Sequence, residues 1–273
     1  MQLLGVFASD AENLPSLMFS LGSEVSGVGP HPDGEVWSLG YYAQDQALVS
    51  RKPGELVDSR QFYELAADVK SRVLVGFISD GQANTPHTPP HRFRNWLFGA
   101  MGQFDGLETL GDKIEEKLPN FIRSEMGFET GSELAFGMFL RELHERNLLD
   151  NSLVTSSSLA EALAKTSETI QILCDEVGQP VVGGLLATNG RCMLVNAQGR
   201  ELHWRVQEGL EQLPEGPPDP TMANFKLIVE GLKRFRGVLI AGDVAGELSG
   251  WTGLSSGQTC WLDRQLELQT LDS

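Results

Sequence analysis

Basic residues are scarce in this chain of 273 residues: 21 Lys and Arg stand against 37 Asp and Glu, a formal net charge of -16. Nucleic acid needs the opposite balance, because affinity for phosphates comes from clustered cations, so direct nucleic-acid binding is excluded as an expectation. An anionic membrane surface would be repelled for the same reason. Cysteine is scarce too, with only Cys174, Cys192 and Cys260. Three is odd, and no CxxC pair occurs, so neither a disulfide framework nor a cysteine zinc site is indicated. No run approaches the roughly 20 apolar residues of a spanning helix. The opening Met1–Ala8 is apolar but lacks a basic start, and Asp10 and Glu12 follow where a cleavage site would stand. A cytoplasmic protein is therefore expected.

What is present suits a folded chain. Hydrophobic residues make up 41% and charged residues 21%, too apolar for disorder. Leu3–Ala8 reads as a buried strand and Glu12–Leu21 as a helix with Leu14, Leu17, Met18 and Leu21 on one face. His31–Gly34 is a turn leading into an extended Glu35–Ala43, with Ala47–Arg51 as its hairpin partner. Ser59–Lys70 has helical spacing, and the β-branched run Arg72–Ser79 is expected to be a central strand. Residues 80–95, rich in proline and histidine, are expected to form a long surface loop.

Asn95–Ala100 is a further strand and Ser132–Arg146 a helix. A second helix, about Ser158–Glu176, carries Ser157, Ser158 and Glu161 in a pattern like a capping box. Val182–Ala187, Cys192–Asn196 and Glu201–Val206 read as successive hairpin strands turning at Asn189-Gly190 and Gln198-Gly199. Pro214–Pro220 is a linker or loop; Gly237–Ala241, Thr259–Leu262 and Glu267–Leu271 are closing strands. No repeat or low-complexity stretch divides the chain, so residues 1–273 are expected to form a single α+β domain, a strand-rich layered sandwich with helices.

The chemical motifs are weak taken singly. His87 and His91 would share a helix face, but Pro89 and Pro90 between them forbid a helix, so no metal site is expected. The series Gly242, Gly246, Gly250, Gly253 and Gly257 lacks the spacing of a phosphate loop. Ser132 and Ser255-Ser256-Gly257 have no nucleophile elbow. Glu115-Glu116 and Glu208, Glu211 and Glu215 read as solvated acidic surface, and the five tryptophans as packing.

The order of four stretches carries more. Met1-Gln2-Leu3-Leu4-Gly5 resembles a Met-Cys-x-Leu-Leu-Gly start. His31-Pro32-Asp33-Gly34 with Leu39-Gly40-Tyr41-Tyr42 resembles His-Asn-Asp-Gly-x-Gly-x-Gly-Tyr-Tyr. Trp96–Gly102 resembles Trp-Leu-Phe-x-His-Asn-Gly, and Gly127–Glu133 resembles Gly-x-Thr-Asp-Ser-Glu with one residue inserted. Together, with Trp251–Asp263 fitting the C-terminal strands, they resemble the class II glutamine amidotransferases, most closely the small stand-alone members. The resemblance implies the four-layer αββα sandwich of N-terminal-nucleophile hydrolases over nearly the whole chain.

The family's chemistry needs an N-terminal Cys thiolate, with its own α-amine as base, to attack the glutamine side-chain amide. An Asn side chain and a Gly N–H hold the oxyanion, each donor being worth about 3–4 kcal/mol in comparable hydrolases. An Arg clamps the substrate carboxylate and an Asp its ammonium. Mapped by resemblance, Gln2 replaces the nucleophile, Ser79 the Arg, Met101 the Asn and Gly131 the Asp, and only Gly102 remains. A bulky Gln2 would also leave Met1 in place.

No catalytic residue and no cofactor is therefore expected. The chain reads as a pseudo-glutaminase, a regulatory or structural subunit for a protein partner bearing a basic patch. The vestigial cleft at Gln2, Ser79, Met101, Gly102 and Gly131 would be plugged or would hold a different small molecule. The alternative is an amide hydrolase or amidotransferase with a rebuilt site, recruiting Ser9, Ser79, Cys192 or His31 under a lid formed by residues 80–95. A third reading is an active glutaminase in which Gln2 is a substitution.

Overall fold

The structure, a computed structural model of the chain, describes residues 2–25, 35–52, 59–80, 87–151, 153–199, 202–211, 213, 216–221, 224–242 and 250–271. The expected turn at His31–Gly34, residues 81–86 of the proline-rich stretch, Gly246, Pro214 and Glu215 lie outside these. The chain falls into two compact units, one comprising residues 1–88 and 204–252, the other 89–203 and 253–273.

The first unit contains most of a seven-stranded sheet. Its strands are β1 (Gln2–Ala8), β2 (Glu35–Ala43), β3 (Gln46–Lys52), β4 (Val73–Asp80), β9 (Leu202–Glu208), β10 (Arg236–Gly242) and β11 (Thr252–Leu254). They lie in the order β11-β9-β10-β1-β4-β2-β3. β1 is buried on both faces and runs antiparallel to both neighbours, with Leu4 opposite Gly76 on β4 and Ala241 on β10. Leu4, Val6 and Ala8 alternate onto the face covered by α1 (Leu14–Val25) and α2 (Ser59–Ala66), where Leu14, Leu17, Met18 and Phe62 join the same core. Phe62 presses so closely on Gly76 that a Cβ there would fall 2.4 Å from the ring. A third helix, α8 (Phe225–Arg234), leads into β10.

The second unit is built on a six-stranded antiparallel sheet in the order β13-β12-β8-β7-β6-β5. These are β5 (His91–Phe93), β6 (Trp96–Gln103), β7 (Val182–Thr188), β8 (Met193–Gln198), β12 (Thr259–Leu262) and β13 (Gln269–Thr270). Between β6 and β7 run α3 (Asp105–Thr109), α4 (Gly111–Glu115), α5 (Asn120–Glu125), α6 (Gly131–Glu145) and α7 (Ser156–Glu176). The helices cover the sheet through aromatic pairs: Phe98 stacks on Phe136 at 4.9 Å and Trp96 meets Phe139 edge-on at 5.3 Å. A buried polar tether crosses this layer, with Ser167 of α7 donating to Asn196 Oδ1 on β8 and Asn196 Nδ2 donating to Thr259 on β12.

Three local expectations are corrected. The Ser157/Glu161 box is not the cap of α7; Thr155 is, its hydroxyl accepting from the Ser158 N–H. A reciprocal capping box stands instead on α6, between Thr130 and Glu133. Glu201–Val206 does not fold back on β8 as a hairpin: the chain leaves the six-stranded sheet at Gln198 and β9 joins the other sheet. Residues 80–95 are not wholly a surface loop either, since Thr88 and His91 are buried and His91 opens β5. Among the described residues, no helix is long and apolar enough to cross a membrane.

Candidate functional site

In the first unit, Gln2 begins β1 and pairs with Ile78, which puts Ser79 one step along β4 at the same end of neighbouring strands. The carboxamide and hydroxyl at these positions contain no thiolate and no guanidinium.

In the second unit, β6 delivers Met101 and Gly102. Met101 pairs across the ladder with Gly184 and is completely buried. Gly102 takes φ +115°, and a Cβ there would lie 2.1 Å from the Val182 carbonyl oxygen. Only glycine fits, so its retention follows from backbone packing whether or not its N–H serves an oxyanion.

The chain then passes Phe104 into α3, and Phe104 closes on the first residue of α6. A Cβ on Gly131 would fall 2.5 Å from Phe104 Cβ and 2.6 Å from its carbonyl oxygen. The Gly131 N–H is also occupied, donating to Glu108 Oε1 at 2.9 Å. An aspartate cannot replace Gly131 here unless Phe104 moves. The Phe104 ring also approaches Gly183, where a Cβ would lie 3.0 Å from it and 2.4 Å from the Met101 carbonyl oxygen, so Phe104 crowds Gly131 with its Cβ and backbone and Gly183 with its ring.

The residues considered for a recruited site separate. Cys192 is 2% exposed, and burial pushes its thiol up to about 12, which leaves almost no thiolate at neutral pH. Cys174 and Cys260 are likewise buried, with thiols pushed up to about 11 by desolvation. Ser9 accepts from the Arg236 N–H and so ties the end of β1 to the start of β10. His31 lies outside the described residues. Among the described residues, no group of three or more His, Cys, Asp or Glu comes together as a metal site.

One pairing escapes sequence reasoning. His91 Nε2 lies 2.7 Å from Ser132 Oγ, which in turn stands 3.2 Å from Thr130 Oγ1. His91 is 4% exposed and its ring lies nearly parallel to Phe136 at 6.5 Å. The partners are 41 residues apart, on β5 and α6. No local pattern announces such a pair; only the fold brings it together.

No family model and no curated protein matches the chain. Solved structures do. A glutamine aminotransferase class-II domain protein from Silicibacter pomeroyi is 12% identical, with a TM-score of 0.61, over 100% of this chain and 99% of that one. A predicted glutamine amidotransferase from Pseudomonas aeruginosa is 17% identical, with a TM-score of 0.52, over 100% and 95%. The glutamine phosphoribosylpyrophosphate amidotransferase of B. subtilis is 12% identical, with a TM-score of 0.59, over 99% of this chain but 49% of that one. Likeness at such identity speaks to architecture, and the architecture is the N-terminal-nucleophile hydrolase fold of the class II glutamine amidotransferase domains.

Proposed function

We propose that this chain is a glutaminase scaffold without glutaminase activity, acting by binding a protein partner. The observation that carries this reading is the closure of Phe104 over Gly131. The position that resembles the family's ammonium-binding Asp has no room for a side chain, and its N–H is spent on Glu108. Sequence supports it at the other positions: an amide at residue 2 has no nucleophilic atom, and Met101 has no hydrogen-bond donor for an oxyanion. Removal of catalytic parts is not additive, but a missing nucleophile has no substitute among the rest.

The net charge of -16 suits a partner with a basic face, since complementary potentials raise encounter rates and are weakened by salt. Two measurements on the intact protein test this. Equilibrium dialysis with labelled glutamine is expected to show no binding, and affinity capture from extract of the source cells should recover a stoichiometric partner whose yield falls with salt. Saturable glutamine binding, or a chain that stays alone, contradicts the reading.

The His91–Ser132 hydrogen bond favours a second reading, a rebuilt serine hydrolase site in which His91 is the base. Labelling of Ser132 by a fluorophosphonate, lost in His91→Ala, would support it; the binding reading expects no labelling.

A further inference from the structure

The second unit holds a pocket at a distance from Met101 and Gly102. The β5–β6 turn, the β7–β8 turn and the connection from α6 to α7 border an open cleft of about 320 Å³, lined in part by Arg94, Trp96, Asp150, Asn151, Asn189 and Arg191. It lies at the Trp96 end of β6, whereas Met101 and Gly102 lie at the other, roughly 17–20 Å away at the rise of a strand. The volume is at the small end of ligand sites and larger than a bare oxyanion requires.

Two carboxamides in this wall have their oxygens engaged by local backbone. Asn189 Oδ1 accepts the N–H groups of Arg191 at 3.0 Å and Cys192 at 3.2 Å. Asn151 Oδ1 accepts the Leu153 N–H at 3.0 Å. Because a backbone N–H can meet only the oxygen end of a carboxamide, each of these side chains has its Nδ2 donor left for a ligand. Both Asp150 oxygens accept from Arg94 Nη1, at 2.7 and 2.8 Å, so the one carboxylate among the described lining residues is already engaged.

Arg94 itself occupies the left-handed region, at φ +51°, in a turn of two residues where glycine or asparagine is preferred. That conformation is strained in a residue with a side chain. The ion pair with Asp150 and the faces of Phe93 and Phe121, 5.1 and 5.4 Å from its guanidinium carbon, offset the strain and hold it at the pocket. Exposed Arg191 supplies a second guanidinium.

We propose that this pocket binds a small organic anion, a carboxylate or phosphate monoester, whose charged group meets Arg191 and the Nδ2 donors of Asn189 and Asn151. Guanidinium forks match both oxyanions, and the body of the molecule takes up the volume that inorganic phosphate leaves. The chain's overall negative charge repels anions only at long range and is screened within about 8 Å at physiological salt, so short charge-assisted contacts decide.

Isothermal titration of the intact protein at physiological salt with glycerol 3-phosphate and with succinate tests this and separates the two headgroups. Binding of at least one, at one site per chain, is expected. Arg191→Ala should weaken it about tenfold or more, the loss of one charge-assisted contact. Asn189→Asp keeps the oxygen that caps the turn but replaces the donor with a second oxygen, so the turn should survive and binding should be abolished. Arg141→Ala, at an exposed ion pair on α6 outside the pocket lining, should change nothing. No saturable heat from either anion up to about 10 mM, or equal affinity in Asn189→Asp, overturns the proposal.

Discussion

Met101→Asn returns to β6 the residue type that the amidotransferase resemblance puts there, and its cost measures what the position has become. Met101 has 0% exposed surface. Taking a methionine side chain out of such a site forfeits about 1.5–3 kcal/mol of burial. Placing a carboxamide there with no prepared partner costs a further ~1–3 kcal/mol, which gives about 2.5–6 kcal/mol in all. Urea unfolding followed by tryptophan fluorescence reads this directly, and Tm should fall by on the order of 10 °C. Met101→Leu, which keeps the volume, should cost less than about 1.5 kcal/mol. If Met101→Asn costs under about 1 kcal/mol, the carboxamide has found water or donors. Position 101 would then be a polar, hydrated site of the kind an oxyanion hole requires, and the reading of a filled position would fail.

Gly131→Asp should destabilise by about 1–3 kcal/mol in urea unfolding through overpacking against the Phe104 Cβ and carbonyl oxygen, and Phe104→Ala, which keeps both of those atoms, should not rescue it in the double variant. Thr155→Ala should cost about 1 kcal/mol as the true cap of α7, whereas Ser157→Ala should cost a few tenths at most in thermal melts. Native protein should show no thiol reactive to a disulfide reagent at pH 8 and three after denaturation, because Cys174, Cys192 and Cys260 are all buried. Their thiols titrate near 9 when unfolded and at about 11 to 12 when folded, so between these values the unfolded chain has lost protons that the folded one keeps. Stability is therefore expected to fall as pH rises above 9, and a flat urea midpoint from pH 8 to 10.5 would contradict this.

Elements whose apolar spacing is long and regular were legible in the sequence. β1, the β2–β3 hairpin, β4, β6, α6 and α7 all stand within a few residues of their expected places. What escaped was decided by distant parts of the chain. The Gln198-Gly199 turn looks like the next hairpin, but β9 pairs with β10 and β11, strands whose apolar patterns do not encode a partner. The short helices α3 to α5 are too brief for periodicity to reveal, and α8 follows a proline-rich stretch that reads as linker. At the candidate site, the family resemblance implied which groups were replaced. It could not reveal that Phe104, 27 positions before Gly131 by the numbering, had closed over the gap, nor that His91 would meet Ser132.

Ammonia release from L-glutamine by the purified protein, measured for the wild type and for Gln2→Cys, tests the central claim most directly. Restoring a cysteine alone supplies neither the carboxylate clamp, the oxyanion donor nor the ammonium site, so both proteins are expected to match the buffer blank. Turnover by the wild type would contradict a silent scaffold outright. Turnover appearing in Gln2→Cys would show that the rest of the site still recognises glutamine, which the closure of Phe104 over Gly131 should prevent.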